Sequence, residues 1–189
     1  MSTKKKVGIL FTGGTISMTI DKEIGANVPT LSGEQIMSMA TNVKDVAEFE
    51  IKDFDEIPGP HMTPEKLLHL KDNVLELLNR EDICGVVITH GTDSLEESAY
   101  FLDLVVNHEK PVVVTGAMRS SSELGYDGSN NFNRIISTYS LLVRYTEFVT
   151  YISLHEFSFF SFTNLYSLTI FQKNYIVIYF FYFIKVDYV

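Results

Sequence analysis

Short apolar runs that end in polar, glycine-bearing corners constrain the fold of this chain more than any other feature. Three runs are rich in β-branched residues and stop at such a corner: Val7–Phe11, Cys84–Thr89 and Val112–Thr115. Runs of this length and composition are typical of strands buried in a parallel sheet. Helical patterns separate them, so the order of elements predicts an α/β fold with a mostly parallel sheet flanked by helices.

Local signals place the remaining elements. Ser32 and Gln35 have the spacing of a capping box, and Thr63 followed by Pro64 is a favoured start for a helix. Apolar periodicity then predicts helices that end near residues 40, 79 and 106. Residues 46–54 alternate apolar and acidic side chains, which predicts a half-exposed strand near an edge of the sheet.

The polar corners are expected to cluster, because ligands of open α/β sheets bind at the carboxyl ends of the strands. The corners are Thr12–Thr15, His90–Asp93 and Thr115–Arg119. Thr15 and Thr92 supply hydroxyls, and the glycines beside them allow backbone N–H groups to approach a substrate. A hydroxyl nucleophile with N–H donors for an oxyanion indicates acyl transfer, with the Asp93 carboxylate as a base or as a partner for a substrate ammonium group.

Other interpretations of the same residues stay open at this point. Thr92 could be the N-cap of the helix that begins at Leu95, with the acidic residues after it favourable to the helix dipole. Residues 8–15 match a phosphate-binding loop except that Gly14 replaces its lysine, which argues against a nucleotide site. The five histidines lack metal-ligand spacing, and His90 is most simply a strand-end residue. No metal site is therefore proposed from the sequence.

Charge and termini bear on partners and compartment. The formal net charge of −9 argues against nucleic acid as a partner. The single cysteine, Cys84, is predicted to be a small buried hydrophobe, in keeping with a reducing compartment. The first apolar run is too short for a signal peptide, so a cytoplasmic location is expected.

The composition changes after residue 132. All 11 glycines and all 5 prolines precede residue 133, whereas 8 of the 10 tyrosines and 9 of the 14 phenylalanines follow residue 132. Residues 133–189 are therefore predicted to be an aberrant tail and not a native domain, with translated noncoding or frame-shifted sequence as the hypothesis for its origin. Its ten uninterrupted apolar residues, 175–184, are fewer than the roughly 20 of a membrane span, and its β-prone windows predict poor solubility.

The motifs together resemble the bacterial-type L-asparaginases, including the glutaminase-asparaginases. Thr12–Ile16 is similar to the first signature of that family and His90–Glu97 to the second, while Thr115–Arg119 with Asp127–Gly128 is similar to a third loop. The resemblance covers about residues 4–132, and it identifies residues 1–132 as a truncated asparaginase N-terminal domain, with the fold incomplete.

The resemblance implies an activity and a set of site residues. The implied reaction converts L-asparagine, and in some members L-glutamine, to the acid and ammonia through a threonine acyl-enzyme, without a metal or cofactor, usually in a homo-oligomer. Thr15 matches the primary nucleophile, and Thr92 with Asp93 matches the second catalytic group, in which Asp93 also binds the substrate ammonium. Gly91 and Ala117 match positions that line the pocket through backbone atoms.

The chain also departs from the family pattern. A lysine completes the second catalytic group in the family, but the context of Lys173 does not match, so that role is unassigned. The loop after the first signature often holds a tyrosine, and residues 16–31 contain none. Gly59 and Pro60 stand where polar side chains usually grip the substrate carboxylate.

The family's smaller C-terminal domain has no counterpart here, and we therefore expect this chain to be inactive. Alternatives are a glutaminase or amidotransferase-type amide hydrolase on the same fold, or a noncatalytic oligomer partner.

Overall fold

A six-stranded sheet and a separate hairpin account for the strands of the described residues. The computed structural model describes residues 6–40, 47–135, 166–171 and 176–181. The strands in chain order are β1 (Lys6–Gly13), β2 (Met18–Asp21), β3 (Ala26–Pro29), β4 (Glu48–Ile57), β5 (Ile83–Thr89), β6 (Val112–Thr115), β7 (Tyr166–Phe171) and β8 (Ile176–Phe181). The sheet order is β4-β1-β5-β6-β8-β7, and β2 pairs with β3 in the hairpin.

The main sheet is mostly parallel, as predicted. β1 pairs in parallel with β4 and β5, β5 pairs in parallel with β6, and β6 pairs in parallel with β8, so that only the β7–β8 pair is antiparallel in this sheet. β4 lies at one edge, which confirms the position expected from its alternating acidic pattern. Parallel strands need crossover connections, which the helices between them supply.

Three helices have bounds close to the predicted ones, namely α1 (Gly33–Met39), α2 (Pro64–Leu78) and α3 (Leu95–Val105). The Ser32 side chain accepts from the Gln35 N–H and the Gln35 side chain accepts from the Ser32 N–H, which confirms the capping box. Thr63 caps α2 by accepting from the Lys66 N–H, with Pro64 at the first helical position. Residues 128–135 form a further helical segment.

The N-terminus of α3 differs from one interpretation of the sequence. Its N-cap is Ser94, and Thr92 lies in the 3-10 turn Thr92–Ser94 that precedes the helix. The Ser94 side chain makes no capping hydrogen bond to α3, and the N-cap of the 3-10 turn is Gly91, which also makes none. The interpretation of Thr92 as the helix cap is therefore wrong: α3 begins at Leu95, as predicted, but its N-cap is Ser94, two residues beyond Thr92.

The core has two parts, one on each face of the sheet. Leu10, Ile88 and Val114 point to the face covered by α2 and α3, and alternate residues point to the other face, which is covered by α1 and residues 128–135. Burying each such aliphatic side chain stabilises the fold by about 1.5–3 kcal/mol. Cys84 is only half-buried and its Sγ donates to the Lys6 carbonyl at 3.0 Å, so it is less buried than predicted.

The aromatic tail contributes two strands to the described structure. β7 and β8 lie within residues 133–189, and β8 aligns with β6 from Val112↔Ile176 to Thr115↔Tyr179. Apart from residues 133–135, which end the helical segment 128–135, the other tail residues, with Lys173 among them, lie outside the described residues. No helix within the described ranges is long and apolar enough to cross a membrane.

Candidate active site

The three corners predicted from the sequence lie at one end of the sheet. β1, β5 and β6 are neighbouring parallel strands, so their carboxyl ends share one edge. The Thr12 hydroxyl donates a hydrogen bond to the Thr89 carbonyl at 2.8 Å, and the His90 N–H donates to the Thr115 carbonyl at 2.7 Å. These bonds join each corner to the next one along the edge.

Glycines allow the backbones of the corners to touch. A Cβ on Gly14 would lie 2.5 Å from the backbone nitrogen of Gly91, and a Cβ on Gly91 would lie 2.5 Å from the Cα of Gly59. Side chains cannot be accommodated at such distances. Gly14 also has a φ of 78°, a left-handed conformation that favours glycine. Thr15 and Thr92, which directly follow two of these glycines, are thereby brought to the same edge.

Thr15 begins a 3-10 turn, Thr15–Ser17, directly after β1 and Gly14. The N–H and the hydroxyl of Ser17 both donate to the Gly14 carbonyl, at 3.0 and 2.8 Å. Ile16 is completely buried, which anchors the turn in the core, while Thr15 itself is half-buried. The Thr15 hydroxyl is therefore carried by a fixed backbone at the edge of the sheet.

Asp93 lies beside Gly59, the glycine that follows β4. A Cβ on Gly59 would lie 3.0 Å from Oδ2 of Asp93, and the Ser94 hydroxyl donates to the Gly59 carbonyl at 2.7 Å. Asp93 is exposed and Thr92 is half-buried. The carboxylate of Asp93 thus stands next to the Gly59 corner, where it can meet a cationic group from solvent.

The third corner packs against the second. A Cβ on Gly116 would lie 2.6 Å from the His90 carbonyl oxygen and 3.2 Å from the Thr92 methyl group. Ala117, the next residue, is 1% exposed, and the N–H groups of the two residues after it are bound by the Asp127 carboxylate. The backbone around Ala117 is therefore fixed close to Thr92.

His90, the first residue of the second corner, is completely buried next to the third corner. Its Nδ1 lies 2.7 Å from the Gly91 carbonyl oxygen, and since a carbonyl oxygen can only accept, Nδ1 carries the proton. Burial lowers the pKa of His90 below its ordinary value, against the weaker opposing effects of the Gly91 carbonyl and Glu97. The imidazole is thus neutral and orients the Gly91 peptide group.

Comparison with known proteins identifies the family of this chain. The family model described as asparaginase, N-terminal, matches residues 6–142, which is more than half of the chain. The chain belongs to the asparaginase family. The match ends ten residues beyond the position where the composition changes.

Asparaginase-family relatives match over the same part of the chain. An L-asparaginase of Bacillus licheniformis is 36% identical over 134 residues, which cover 71% of this chain and 41% of that protein. A glutaminase-asparaginase of Pseudomonas aeruginosa is 38% identical over 69% of this chain and 37% of its own length.

A solved structure is also similar to this chain. The crystal structure of a probable cytoplasmic L-asparaginase from Campylobacter jejuni has a TM-score of 0.64 and 34% identity, over 72% of this chain and 40% of that one. The chain thus spans about two fifths of the length of these asparaginase-family proteins.

Within this asparaginase-family domain, the residues singled out from the sequence lie together at the sheet edge. They are Thr15, Gly59, Pro60, Gly91, Thr92, Asp93 and Ala117. Pro60 differs from the rest because it is exposed in the 3-10 turn Gly59–His61 and has no N–H to donate. If that turn holds a substrate carboxylate, backbone groups other than the N–H of Pro60 must do so.

Tyr126 lies beside the candidate site and was not predicted from the sequence. Its hydroxyl donates to the Ile16 carbonyl at 2.9 Å, one residue beyond Thr15. Burial, together with the nearby Asp127 carboxylate, raises the pKa of Tyr126 to about 12, so the phenol remains a donor at neutral pH. Tyr126 directly precedes Asp127–Gly128, which was singled out from the sequence, and that position was a signal. No local sequence pattern, however, indicated a contact between Tyr126 and residue 16.

The described part of the chain contains no candidate site for a metal ion. Across residues 6–40 and 47–135, no cluster of three or more His, Cys, Asp or Glu side chains could hold an ion. The groups at the edge are hydroxyls, one carboxylate and backbone N–H groups, which suit acyl transfer.

Proposed function

We propose that this edge is an amidohydrolase active site that converts L-asparagine to L-aspartate and ammonia through an acyl-enzyme on Thr15. The observation that carries the proposal is the contact among Gly14, Gly59 and Gly91, which puts Thr15, Thr92 and Asp93 at one edge. Two hydroxyls and a carboxylate on one rigid sheet edge are groups that nucleophilic amide cleavage uses.

The roles follow from the chemistry of each group. The Thr15 oxygen attacks the side-chain carboxamide carbon, the C–N bond breaks, and the nitrogen leaves as ammonia after it gains the proton that the Thr15 hydroxyl loses. Water then cleaves the ester and regenerates the Thr15 hydroxyl. Asp93 is exposed beside Gly59 and binds the α-ammonium group of the substrate by a charge-assisted contact. Backbone N–H groups near Ala117 hold the pocket in shape.

The preferred amide is part of the proposal. A relative is named glutaminase-asparaginase, which supports L-glutamine as a second substrate. We propose asparagine as the first, because other relatives are named L-asparaginase. The C. jejuni protein is described as a probable cytoplasmic L-asparaginase, and we propose the cytoplasm for this chain, which cell fractionation tests.

The test measures both turnover and the acyl-enzyme. Purified full chain is mixed with L-asparagine or L-glutamine, ammonia is assayed, and acid-quenched samples are searched by mass spectrometry for an aspartyl or glutamyl ester on Thr15. Thr15→Ala removes the nucleophile and Thr92→Ala removes the second hydroxyl, whereas Thr63→Ser, which keeps the cap of α2, is the matched control.

The outcomes distinguish formation of the acyl-enzyme from sustained turnover. An ester on Thr15 that Thr15→Ala removes and Thr63→Ser retains supports the proposal. An ester without sustained ammonia release agrees with the expectation that this chain alone is inactive, because the lysine of the second group is unassigned. Sustained release that both alanine variants abolish contradicts the expected inactivity, and absence of both ester and ammonia contradicts the proposed function.

A further inference from the structure

The third corner is held by a carboxylate that lies behind it. Asp127 accepts hydrogen bonds from the N–H of Met118 at 3.1 Å and from the N–H of Arg119 at 3.0 Å. Asn131 donates from Nδ2 to Asp127 at 2.9 Å and to the Gly116 carbonyl at 3.0 Å. Charge-assisted bonds to successive N–H groups fix the orientation of the peptide planes. The backbone from Gly116 to Arg119 is therefore fixed by two side chains, Asp127 just before the helical segment 128–135 and Asn131 within it.

The residue before Asp127 reaches the first corner. The Tyr126 hydroxyl donates to the Ile16 carbonyl at 2.9 Å, and its ring packs against the core on the face covered by α1. Ser121, in the same loop, donates from both its N–H and its hydroxyl to the Met18 carbonyl at 3.1 Å. The turn that carries Thr15 is thus tied to the loop after the third corner.

Gly128 makes room for this arrangement. A Cβ at residue 128 would lie 2.5 Å from Cζ and 2.6 Å from Cε2 of Tyr126. The tyrosine ring occupies the space of a side chain there, so residue 128 must be glycine for Tyr126 to fold back toward Ile16. This arrangement explains the Asp127–Gly128 pair. Asp127 binds the third corner, and Gly128 leaves room for Tyr126 to bind the first corner.

We propose that Tyr126 and Asp127 form a positioning pair that fixes the Thr15 corner and the Ala117 corner relative to each other. The two side chains are adjacent in the chain, so a movement of one corner is transmitted to the other through a single peptide unit. The inference rests on the proposed function for what the two corners do, since it gives the pair the task of placing the Thr15 hydroxyl against the pocket.

The test is site-resolved amide hydrogen exchange on the full chain. Tyr126→Phe removes only the hydroxyl, and we expect the Ser17 amide, which closes the Thr15 turn, to exchange about tenfold faster. Asp127→Asn removes the charge, and we expect the same acceleration at the Met118 and Arg119 amides. Because the corners are coupled, each variant should also accelerate exchange at the opposite corner by about threefold or more.

Matched substitutions outside the corners serve as controls. Tyr100→Phe lies on the exposed side of α3 and Asp72→Asn lies on α2, where its exposed carboxylate meets Lys71. Both should leave the two corners unchanged. If Asp127→Asn does not fold, Asp127→Glu keeps the charge but moves the carboxylate by one methylene, and it is expected to accelerate exchange at the same amides.

The exchange pattern decides the inference. Acceleration at both corners with unchanged amides in β1 and β5 supports the positioning pair. Acceleration confined to the corner nearest the substitution, or spread uniformly through β1 and β5, overturns it, because the first denies coupling and the second indicates general destabilisation.

Ammonia release provides an independent readout. If the chain turns over asparagine, Tyr126→Phe should lower kcat about tenfold and leave KM unchanged, since Thr15 is misplaced while Asp93, the proposed partner of the substrate ammonium group, keeps its place beside Gly59. An unchanged kcat overturns the positioning role. If the chain releases no ammonia and forms no ester, the proposed function fails, while the exchange pattern still decides whether Tyr126 and Asp127 couple the corners.

Discussion

At the scale of single residues, His90 is the group whose burial has the clearest energetic consequence. It is completely buried with its proton on Nδ1, and burial lowers its pKa. In the unfolded chain the same imidazole titrates near pH 6.5. Between these two pKa values the unfolded chain binds one more proton than the folded chain. The free energy of unfolding must therefore fall as the pH drops below about 6.5.

We predict that His90→Gln flattens the acid side of the stability profile. Each proton bound only by the unfolded chain contributes a slope of up to about 1.4 kcal/mol per pH unit, and the variant lacks this contribution. The measurement is urea unfolding from about pH 7 to about pH 5. His61→Gln, on the surface, is the control and should keep the slope of the parent protein. Equal slopes for the parent and His90→Gln would contradict the burial of a neutral imidazole.

The corner residues show what a sequence can reveal about a site at this scale. The spacing of hydroxyls and glycines predicted Thr15, Thr92 and Asp93 at one edge, because parallel strands end together. It did not predict that Gly14, Gly59 and Gly91 touch, because that contact depends on the order β4-β1-β5 in the sheet.

At the scale of elements, the helices with strong local sequence signals were predicted, and the hairpin without such signals was missed. α1 and α2 were placed within a few residues, because their caps and apolar faces are encoded within a single turn or two. The β2–β3 hairpin was not predicted, since its strands are short and contain no fully buried residue. Its support comes from residues about 100 positions away, where Ser121 and Ser122 hydrogen-bond Met18 and Ile20.

The capping box of α1 provides a prediction at this scale. Ser32→Ala removes the acceptor for the Gln35 N–H, and we expect it to lower the free energy of unfolding by about 1 kcal/mol. Ser38→Ala in the same helix is the matched control, because Ser38 only bonds back to the Gln35 carbonyl and alanine is a better helix former. Urea unfolding of both variants measures the difference, and an equal effect of the two substitutions would show that the cap contributes nothing specific.

At the scale of the whole molecule, the tail is where composition and structure differ. The absence of glycine and proline after residue 132 predicts a segment that is not a native domain. The family match nevertheless continues to residue 142, and β8 occupies an inner position of the sheet between β6 and β7. Composition reports only whether turns can form, whereas strand pairing depends on backbone groups that most residues carry. The composition of the tail and the position of β8 in the sheet therefore give opposite expectations for the contribution of β8 to stability.

Ile178→Pro distinguishes these expectations. Residue 178 aligns with Val114 of β6 on one side and with Thr169 of β7 on the other, so a proline there removes a backbone donor inside the sheet. If β8 is part of the native sheet, the unmet acceptor costs about 2 kcal/mol, which lowers Tm by roughly 5 °C in a chain of this size. Thermal unfolding followed by circular dichroism measures the shift.

Tyr166→Pro is the control for this experiment, because residue 166 begins the edge strand β7, where proline is tolerated. A lowered Tm for Ile178→Pro alone would show that β8 stabilises the sheet and that the tail is integrated into this fold. An unchanged Tm for both variants would instead support the prediction from composition, because a segment that contributes nothing to the native sheet can lose a backbone donor without cost. The comparison thus decides where the folded unit of this asparaginase-family chain ends.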